Sequence, residues 1–256
     1  MSDCRQSHPC STAQREEDRH WWFASRTRAL MNLMDAIPLE RGLSLLDIGC
    51  GAGNMTPHLS RYGHVKGVEI DPRPVGVARQ RGYDVDQGDA SRGLIYADAT
   101  FDVVTVLDVI EHNQDDLAVL REAHRVLKPG GRIVVTVPAF MWLWSHNDEI
   151  NAHVRRYTIP ELRARLGHAG FAVQHATYNN FFVFPMAAAL ILVRRAGDRR
   201  PRLASHHLSE DQYQVEMEPT SPPVNVVLSA VGWLEAQLLR RVSLPVGTSI
   251  IALARK

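Results

Sequence analysis

Cysteine is scarce in this chain of 256 residues, and its few thiols show no pairing pattern. Cys4, Cys10 and Cys50 make an odd count and include no Cys-x-x-Cys pair. Such a set supplies neither a disulfide framework nor a structural zinc site. The sequence therefore predicts a protein of the reducing cytoplasm, and it predicts no metal site.

Long apolar runs and an excess of one charge are also missing. The longest apolar run, residues 181–193, is interrupted by Pro185 and is shorter than the about 20 residues of a spanning helix. The first twenty residues are polar, unlike a secretory signal. Lys and Arg number 29 against 28 Asp and Glu, which argues against a polyanionic partner. We expect no transmembrane segment, no export and no nucleic-acid partner.

Short apolar runs alternate with amphipathic ones from Leu43 onward, which is typical of β-α-β units in a mostly parallel sheet. A helix within residues 15–36 is predicted to precede them, from apolar residues at helical spacing. The predicted strands are 43–48, 64–70, 83–87, 101–107, 132–137, 172–178 and 247–254. The predicted helices are 53–62, 72–81, 115–127 and 159–169. The pattern therefore predicts an α/β fold.

Residues 179–244 break this alternation. They hold an apolar helix, an arginine-rich turn at 197–202 and an amphipathic helix near 224–241. We interpret this segment as an insertion between the last two strands. The chain then divides into an N-terminal tail and helix (1–42), a core (43–178), the insertion (179–244) and a final strand (245–256).

The clearest chemical signal is a glycine-rich segment directly after the first predicted strand. Gly49, Gly51 and Gly53 allow a tight turn and a close approach of the backbone to a ligand. The dinucleotide fingerprint requires its third glycine at position 54, which here is Asn54. Asp47 suits an ammonium group and would repel a pyrophosphate. The segment therefore favours S-adenosylmethionine (SAM) over NAD.

Two further carboxylates follow the next predicted strands. Glu69, with Ile70 beside it, falls 20 positions after Gly49, the separation expected of a carboxylate that accepts ribose hydroxyls. Asp89, followed by the small Ala90, can accept the adenine amino group and leave room for the ring. These positions agree with a nucleoside-containing cofactor.

The motifs in order are DIGCGAG at 47–53, VEID at 68–71, GDA at 88–90, FDVV at 101–104 and LDVIEH at 107–112. In this combination they resemble the class I SAM-dependent methyltransferases over residues 43–137. The resemblance implies a Rossmann-like seven-stranded fold and SAM as cofactor. It implies these contacts: Asp47, Gly49, Gly51 and Gly53 with methionine, Glu69 and Ile70 with ribose, Asp89 and Ala90 with adenine, and Leu107 and Asp108 along the other side.

The resemblance also implies that the N-terminal helix folds over the cofactor as a lid. In that helix Trp22 offers an aromatic face to a sulfonium, and Arg26 can neutralise the methionine carboxylate. The alternative is that the aromatic residues pack on the domain and Arg26 is a solvated helix residue. The predicted fold is thus an α/β methyltransferase fold with an N-terminal helical lid and a helical cap inserted before the last strand.

The acceptor side is predicted from the loop that follows the fifth strand, where ligands of open α/β sheets bind. Its Trp142 and Trp144 can line an acceptor pocket. The next segment, NAHVRRYT, resembles a bacterial subgroup of these methyltransferases. Arg155 and Arg156 can bind an oxyanion of the acceptor, or alternatively form an ion pair with Glu161.

Proton removal is needed only if the acceptor atom carries an acidic proton, because methyl transfer from a sulfonium is an in-line displacement. The candidate bases are His153, His146 and His112, with Tyr157 and Asp108 as orienting partners. A structural or solvated role is the alternative for each, since the chain holds 12 histidines.

The insertion, with Asn180 near its start, is predicted to cap the acceptor pocket or to mediate dimerisation. A rival interpretation is that residues 181–193 and the flanking arginines contact a membrane surface. The predicted function is methyl transfer to oxygen, nitrogen or carbon of a small molecule, such as a secondary metabolite, sugar or lipid precursor, by a monomer or homodimer. The alternatives are an NAD-dependent oxidoreductase and a SAM-binding protein without catalysis.

Overall fold

The computed structural model describes residues 20–36, 42–196 and 220–256. Its strands are β1 Leu43–Ile48, β2 Gly63–Glu69, β3 Val85–Gln87, β4 Phe101–Leu107, β5 Leu127–Pro138, β6 Ala172–Asn179 and β7 Ser249–Arg255. They form one sheet in the order β3-β2-β1-β4-β5-β7-β6. The pairs among β1 to β5 are parallel, whereas β7 runs antiparallel to both β5 and β6. The predicted seven-stranded α/β fold is confirmed, and the antiparallel β7 departs from the all-parallel dinucleotide-binding order.

Helices cover both faces of the sheet. They are α1 Trp21–Asp35, α2 Thr56–Leu59, α3 Pro72–Gln80, α4 Asp116–Val126, α5 His146–Ile150, α6 Ile159–His168, α7 Phe184–Ala196 and α8 Pro222–Leu238, with 3-10 turns at Ile110–His112 and Met141–Leu143. Among the described residues, no helix is both long and apolar enough to cross a bilayer.

The central strands are buried on both faces, which is why they read as continuous apolar runs. On one face, α4 and α6 contribute Leu120 and Leu162 to the larger apolar cluster. On the other face, α1 contributes Leu30 and Met34, and α8 contributes Ala236. The core therefore fixes the carboxyl ends of β1, β4 and β5 at one edge.

The lid helix and the last helix of the insertion are joined to each other. Asn32 of α1 donates a side-chain hydrogen bond to the Ala236 carbonyl at 2.8 Å, and the Trp21 amide donates to the Asn225 side chain at 2.8 Å. Gly232 lies so close to Ser25 that a Cβ there would meet Ser25 Oγ at 1.8 Å. Thus α8 positions α1.

Several predicted boundaries differ from the structure. The predicted helix 53–62 shortens to α2, because Gly53 has φ +77° and still belongs to the preceding turn. The predicted fifth strand, 132–137, begins earlier, at Leu127 directly after α4, since Leu127 pairs with Phe101 of β4. The predicted third strand, 83–87, begins only at Val85. The predicted turn at 197–202 lies outside the described residues.

Candidate active site

In the turn after β1, Gly49 packs against the protein, whereas Gly51 faces open space. Gly49, Gly51 and Gly53 have φ of +71°, +54° and +77°, a region that favours glycine. A Cβ on Gly49 would meet the Val109 side chain at 2.4 Å, whereas a Cβ on Gly51 would meet no atom within 4 Å. Gly51 therefore faces space that a ligand can occupy.

Asp47 is a buried carboxylate at the end of β1. Its side chain accepts a hydrogen bond from Thr105 Oγ1 at 2.6 Å, and the residue is only 2 % exposed. Burial raises the pKa of Asp47 to about 7, although the Thr105 hydrogen bond lowers it, and the nearby Glu69 carboxylate raises it further. A cation placed beside Asp47 would stabilise its charged form.

Glu69 ties the end of β2 to the glycine turn. Its carboxylate accepts the Gly51 amide at 3.0 Å, the Ile70 amide at 2.8 Å and the Asp71 amide at 3.0 Å. Asp89, which follows β3, accepts from the amide and the hydroxyl of Ser91. The successive strands thus each end at a carboxylate, as the sequence predicted. Together with the open space at Gly51, these carboxylates fit a nucleoside that carries a cationic amino-acid group.

Arg26 of α1 reaches down to the carboxyl end of β4. Its guanidinium contacts the Asp108 carboxylate and lies 4.9 Å from the Trp22 ring centroid. Asp108 has φ +55° and also accepts a hydrogen bond from Thr136 Oγ1 at 2.8 Å. The alternative of a solvated Arg26 is therefore wrong, because burial of its side chain is compensated by an ion pair. Leu107 precedes this ion pair as the last residue of β4.

The aromatic loop after β5 meets the insertion. The Phe140 ring stacks on the Tyr178 ring with centroids 4.9 Å apart. The Trp142 ring is 5.8 Å from Phe140 and 5.9 Å from Phe184 of α7, and the residue is 45 % exposed. Trp144 is partly buried. An apolar aromatic wall is thus built from two distant segments.

Asn180 is buried in the turn that precedes the insertion helices. It has φ +65°, and its side-chain amide donates to Thr248 Oγ1 at 3.0 Å. These contacts fix the backbone turn between β6 and α7 against the start of β7. The structure therefore places Asn180 in a structural contact.

Two of the three predicted histidines lie together. The His112 and His153 rings are 4.7 Å apart. His153 Nδ1 is 2.9 Å from Asp148 Oδ1, and Arg156 binds both oxygens of the same buried carboxylate at 2.7 and 2.9 Å. His146 instead pairs with Glu149 on the surface of α5. The structure thus places His112 and His153 side by side, whereas His146 lies apart from them.

Arg155 and Tyr157 converge on another buried carboxylate, Asp116. Arg155 lies 3.0 Å from it, the Tyr157 hydroxyl donates to it at 2.9 Å, and Arg165 lies at 3.1 Å. Burial, together with Asp116, raises the pKa of Tyr157 above its usual range. Tyr157 therefore stays protonated and keeps its hydrogen bond to Asp116, because a buried Asp116 without partners would be costly.

The alternative that Arg155 or Arg156 forms an ion pair with Glu161 is wrong, because these arginines pair with Asp116 and Asp148. Glu161 accepts hydrogen bonds from the amide and hydroxyl of Thr158 at the start of α6. This reciprocal cap satisfies amide groups that the first turn of a helix leaves unpaired. The arginines are used elsewhere because Asp116 and Asp148 are buried and need them.

Three buried carboxylates lie among the candidate acceptor residues without having been predicted from the sequence: Asp116, Asp148 and Glu111. Glu111 is 0 % exposed, and burial raises its pKa to about 8. A signal existed, because Glu111 belongs to the LDVIEH motif that follows β4. No signal existed for Asp116 and Asp148, since their partners lie in other segments of the chain.

Residues 15–176 match the family described as Methyltransferase domain, and the chain belongs to this family. It is 37% identical over 118 residues to the 27-O-demethylrifamycin SV methyltransferase of Amycolatopsis mediterranei, which covers 43% of each chain. It is 38% identical over 109 residues to a ubiquinone biosynthesis O-methyltransferase of Cereibacter sphaeroides, covering 40% of this chain and 44% of that one. The chain thus spans less than half the length of these curated relatives.

A solved structure described as the [4+2]-cyclase SpnF shares the fold. It superimposes with a TM-score of 0.57 at 22% identity, covering 92% of this chain and 82% of that one. At this identity the likeness shows the fold alone.

Proposed function

We propose that this chain transfers the methyl group of SAM to oxygen or nitrogen of a small molecule, with carbon as a further candidate atom. The observation that carries the proposal is the buried Asp47 beside the opening at Gly51, with Glu69 joined to the same turn. SAM supplies a methyl group activated by a positive sulfur. The small-molecule O-methyltransferases among the relatives support this class of acceptor.

The cofactor contacts are proposed residue by residue. Asp47 holds the ammonium of the amino-acid part, because a cation compensates its buried charge. Glu69 accepts the ribose hydroxyls, and Asp89 with Ala90 receives the adenine. Arg26, through its ion pair with Asp108, holds the lid helix over the carboxyl ends of β4 and β5.

The acceptor is proposed to lie between the aromatic wall and the pair of histidines. Trp142, together with Phe140 and Phe184, offers an apolar surface to the acceptor. His112 and His153 provide polar groups toward which the acceptor proton can leave. Positioning of the acceptor atom in line with the methyl group contributes much of the rate.

Calorimetric titration with S-adenosylhomocysteine and, separately, with NAD tests the cofactor assignment. We expect binding of S-adenosylhomocysteine only, and at least a hundredfold loss of affinity in Asp47→Ala and Glu69→Ala. Asp98→Ala, at an exposed acid paired with Arg125, is the control and should bind normally. Preference for NAD, or unchanged affinity in both variants, would reject the proposal. Methyl transfer from labelled SAM to a panel of hydroxylated and amino acceptors then separates an enzyme from a non-catalytic SAM-binding protein.

The setting and the partners of the chain are further parts of this proposal. A cytoplasmic location agrees with Cys50, which is buried and forms no disulfide. Exposed apolar residues on the insertion, including Met186, Val193, Val226 and Trp233, support either a homodimer or peripheral contact with a membrane. Light scattering tests for the homodimer, and co-sedimentation with anionic vesicles tests for membrane contact. A monomer that does not bind vesicles would reject both possibilities.

A further inference from the structure

The side chain of Glu111 is unusual for a buried acid. It lies in the 3-10 turn after β4 with 0 % exposure. Apart from its own backbone amide, neither carboxylate oxygen has a hydrogen-bond partner among the described residues. A buried carboxylate without partners costs several kcal/mol when it is charged, so the charge persists only where a metal ion or another cation compensates it.

The neighbouring guanidinium groups are engaged by other acids. Arg156 binds both oxygens of Asp148, and Arg26 contacts Asp108. Neither forms an ion pair with Glu111 among the described residues, although both lie near enough to act on its charge. Glu111 is therefore not explained as one half of an internal ion pair.

Two imidazole rings complete the surroundings of Glu111. One ligand atom each from Glu111, His112 and His153 lie within 4.8 Å of one another. Atoms bound to one ion with bonds of about 2.1 Å are separated by roughly 3 to 4 Å. The three atoms therefore lie at or slightly beyond this spacing, so binding requires them to close in on the ion; His112, the exposed member of the set, is the one least confined by packing.

The His153 ring is oriented by a carboxylate behind it, and the His112 ring lies against the backbone. His153 Nδ1 lies 2.9 Å from Asp148 Oδ1, which leaves Nε2 on the far side of the ring. His112 contacts the backbone of Asn151 and Ala152. Metal-binding histidines characteristically give their second ring N–H to a carboxylate or carbonyl in this way.

We infer that Glu111, His112 and His153 bind one divalent transition-metal ion, with Asp148 orienting His153. Two imidazoles and one carboxylate suit Zn²⁺, Co²⁺ or Fe²⁺ better than the oxygen-seeking Mg²⁺ or Ca²⁺. Three protein ligands leave a coordination position open, as in catalytic zinc sites. Sequence analysis predicted no metal site, because 41 residues separate the two histidines and no local spacing reveals the set.

The role of the ion rests on the proposed function, whereas its binding does not. An ion held by Glu111, His112 and His153 would bind a hydroxyl oxygen of the acceptor at its open position and would lower the pKa of that hydroxyl. With both imidazoles bound to the ion, the acceptor proton would leave to solvent instead of toward His112 or His153. The oxygen electron pair would form the new C–O bond, and the electron pair of the C–S bond would return to sulfur. We therefore expect the ion to favour acceptors that are alcohols or phenols.

Co²⁺ is the probe for binding, because its visible absorption reports nitrogen and oxygen coordination. Tag-free protein is stripped with a chelator and titrated with Co²⁺, and Zn²⁺ binding is measured by calorimetry. We expect one ion per chain, with affinity at least a hundredfold weaker in Glu111→Gln and His153→Gln. The control is His64→Gln, which removes a surface histidine near Asp84 and should bind as the wild type does.

Thermal unfolding covers the case in which His153→Gln fails to fold. Glu111→Gln keeps the side-chain shape and cannot supply a carboxylate to a metal ion, so it should fold and show no rise in Tm with Zn²⁺, whereas the wild type shows one. Absence of Co²⁺ binding, or equal binding by Glu111→Gln, overturns the metal site. Normal S-adenosylhomocysteine binding in the same samples separates that failure from failure of the proposed function.

Discussion

The turn after β1 and the polar layer formed by Asp116, Asp148, His153, Arg156 and Tyr157 both bury carboxylates, but the charges of these carboxylates are compensated to different extents. Within the described part of the chain, Asp47 has one side-chain donor, Thr105, and burial raises its pKa to about 7. Burial also acts to raise the pKa of Asp148, but hydrogen bonds from His153 and Arg156 hold it well below its usual range. The charge of Asp47 is thus incompletely compensated by the protein, which suits a cationic ligand. The charge of Asp148 is compensated by the protein itself.

The difference also concerns how far apart the partners lie in the chain. Around the glycine turn, Glu69 and Gly51 are 18 residues apart and belong to one β-α-β unit. In the polar layer, Tyr157 and Asp116 are 41 residues apart and belong to different units. The ligand-binding turn is thus locally encoded, whereas the layer is assembled by packing.

The largest expected effect comes from breaking the turn. Gly49→Ala places a Cβ 2.4 Å from the Val109 side chain at φ +71°, so we expect a loss of about 2–4 kcal/mol in the free energy of unfolding. Chemical denaturation measures it. Gly76→Ala is the matched control, because its Cβ would meet nothing within 4 Å inside α3, and a gain of about 0.5–1 kcal/mol is expected. Equal stability of the two variants would contradict a strained turn.

An intermediate effect tests the incomplete compensation of Asp47. Because its folded pKa is raised from 3.8 to about 7, its contribution to the stability of the ligand-free protein is lost as pH rises through this interval. Affinity for S-adenosylhomocysteine should change oppositely and weaken by up to about tenfold per pH unit below pH 7. Denaturation and calorimetry at several pH values measure both slopes. Asp47→Asn should remove both, whereas Asp98→Asn at the surface should keep them.

The smallest effect sharpens the description of the polar layer. Tyr157→Phe removes one donor to Asp116, which keeps Arg155 and Arg165, so we expect a loss of about 1 kcal/mol in the free energy of unfolding. Tyr62→Phe is the control, because its hydroxyl bonds to the partly exposed Asp35 and should contribute less. A Tyr157→Phe protein that is fully stable but binds S-adenosylhomocysteine weakly would place Tyr157 at the ligand instead.

Sequence patterns predicted strand and helix bounds well where the residues of that element alone determine where it begins and ends. The bounds of β1 and β4 are as predicted, since buried runs of apolar residues end at polar turn residues. The start of β5 was missed, because it depends on pairing with β4 across the sheet. The length of α2 was overestimated, because its helical pattern begins inside a turn formed by glycine.

The sequence by itself determined the α/β class, the glycine turn and the carboxylates at successive strand ends, because these depend on residues close together in the chain. Only the tertiary structure decided which charges meet. Arg26 and Asp108 are 82 residues apart, and Glu111 meets His153 from a separate segment. Their proximity follows from how α1, α8 and the loops pack on the sheet, and a buried charge selects its partner from whatever that packing brings near.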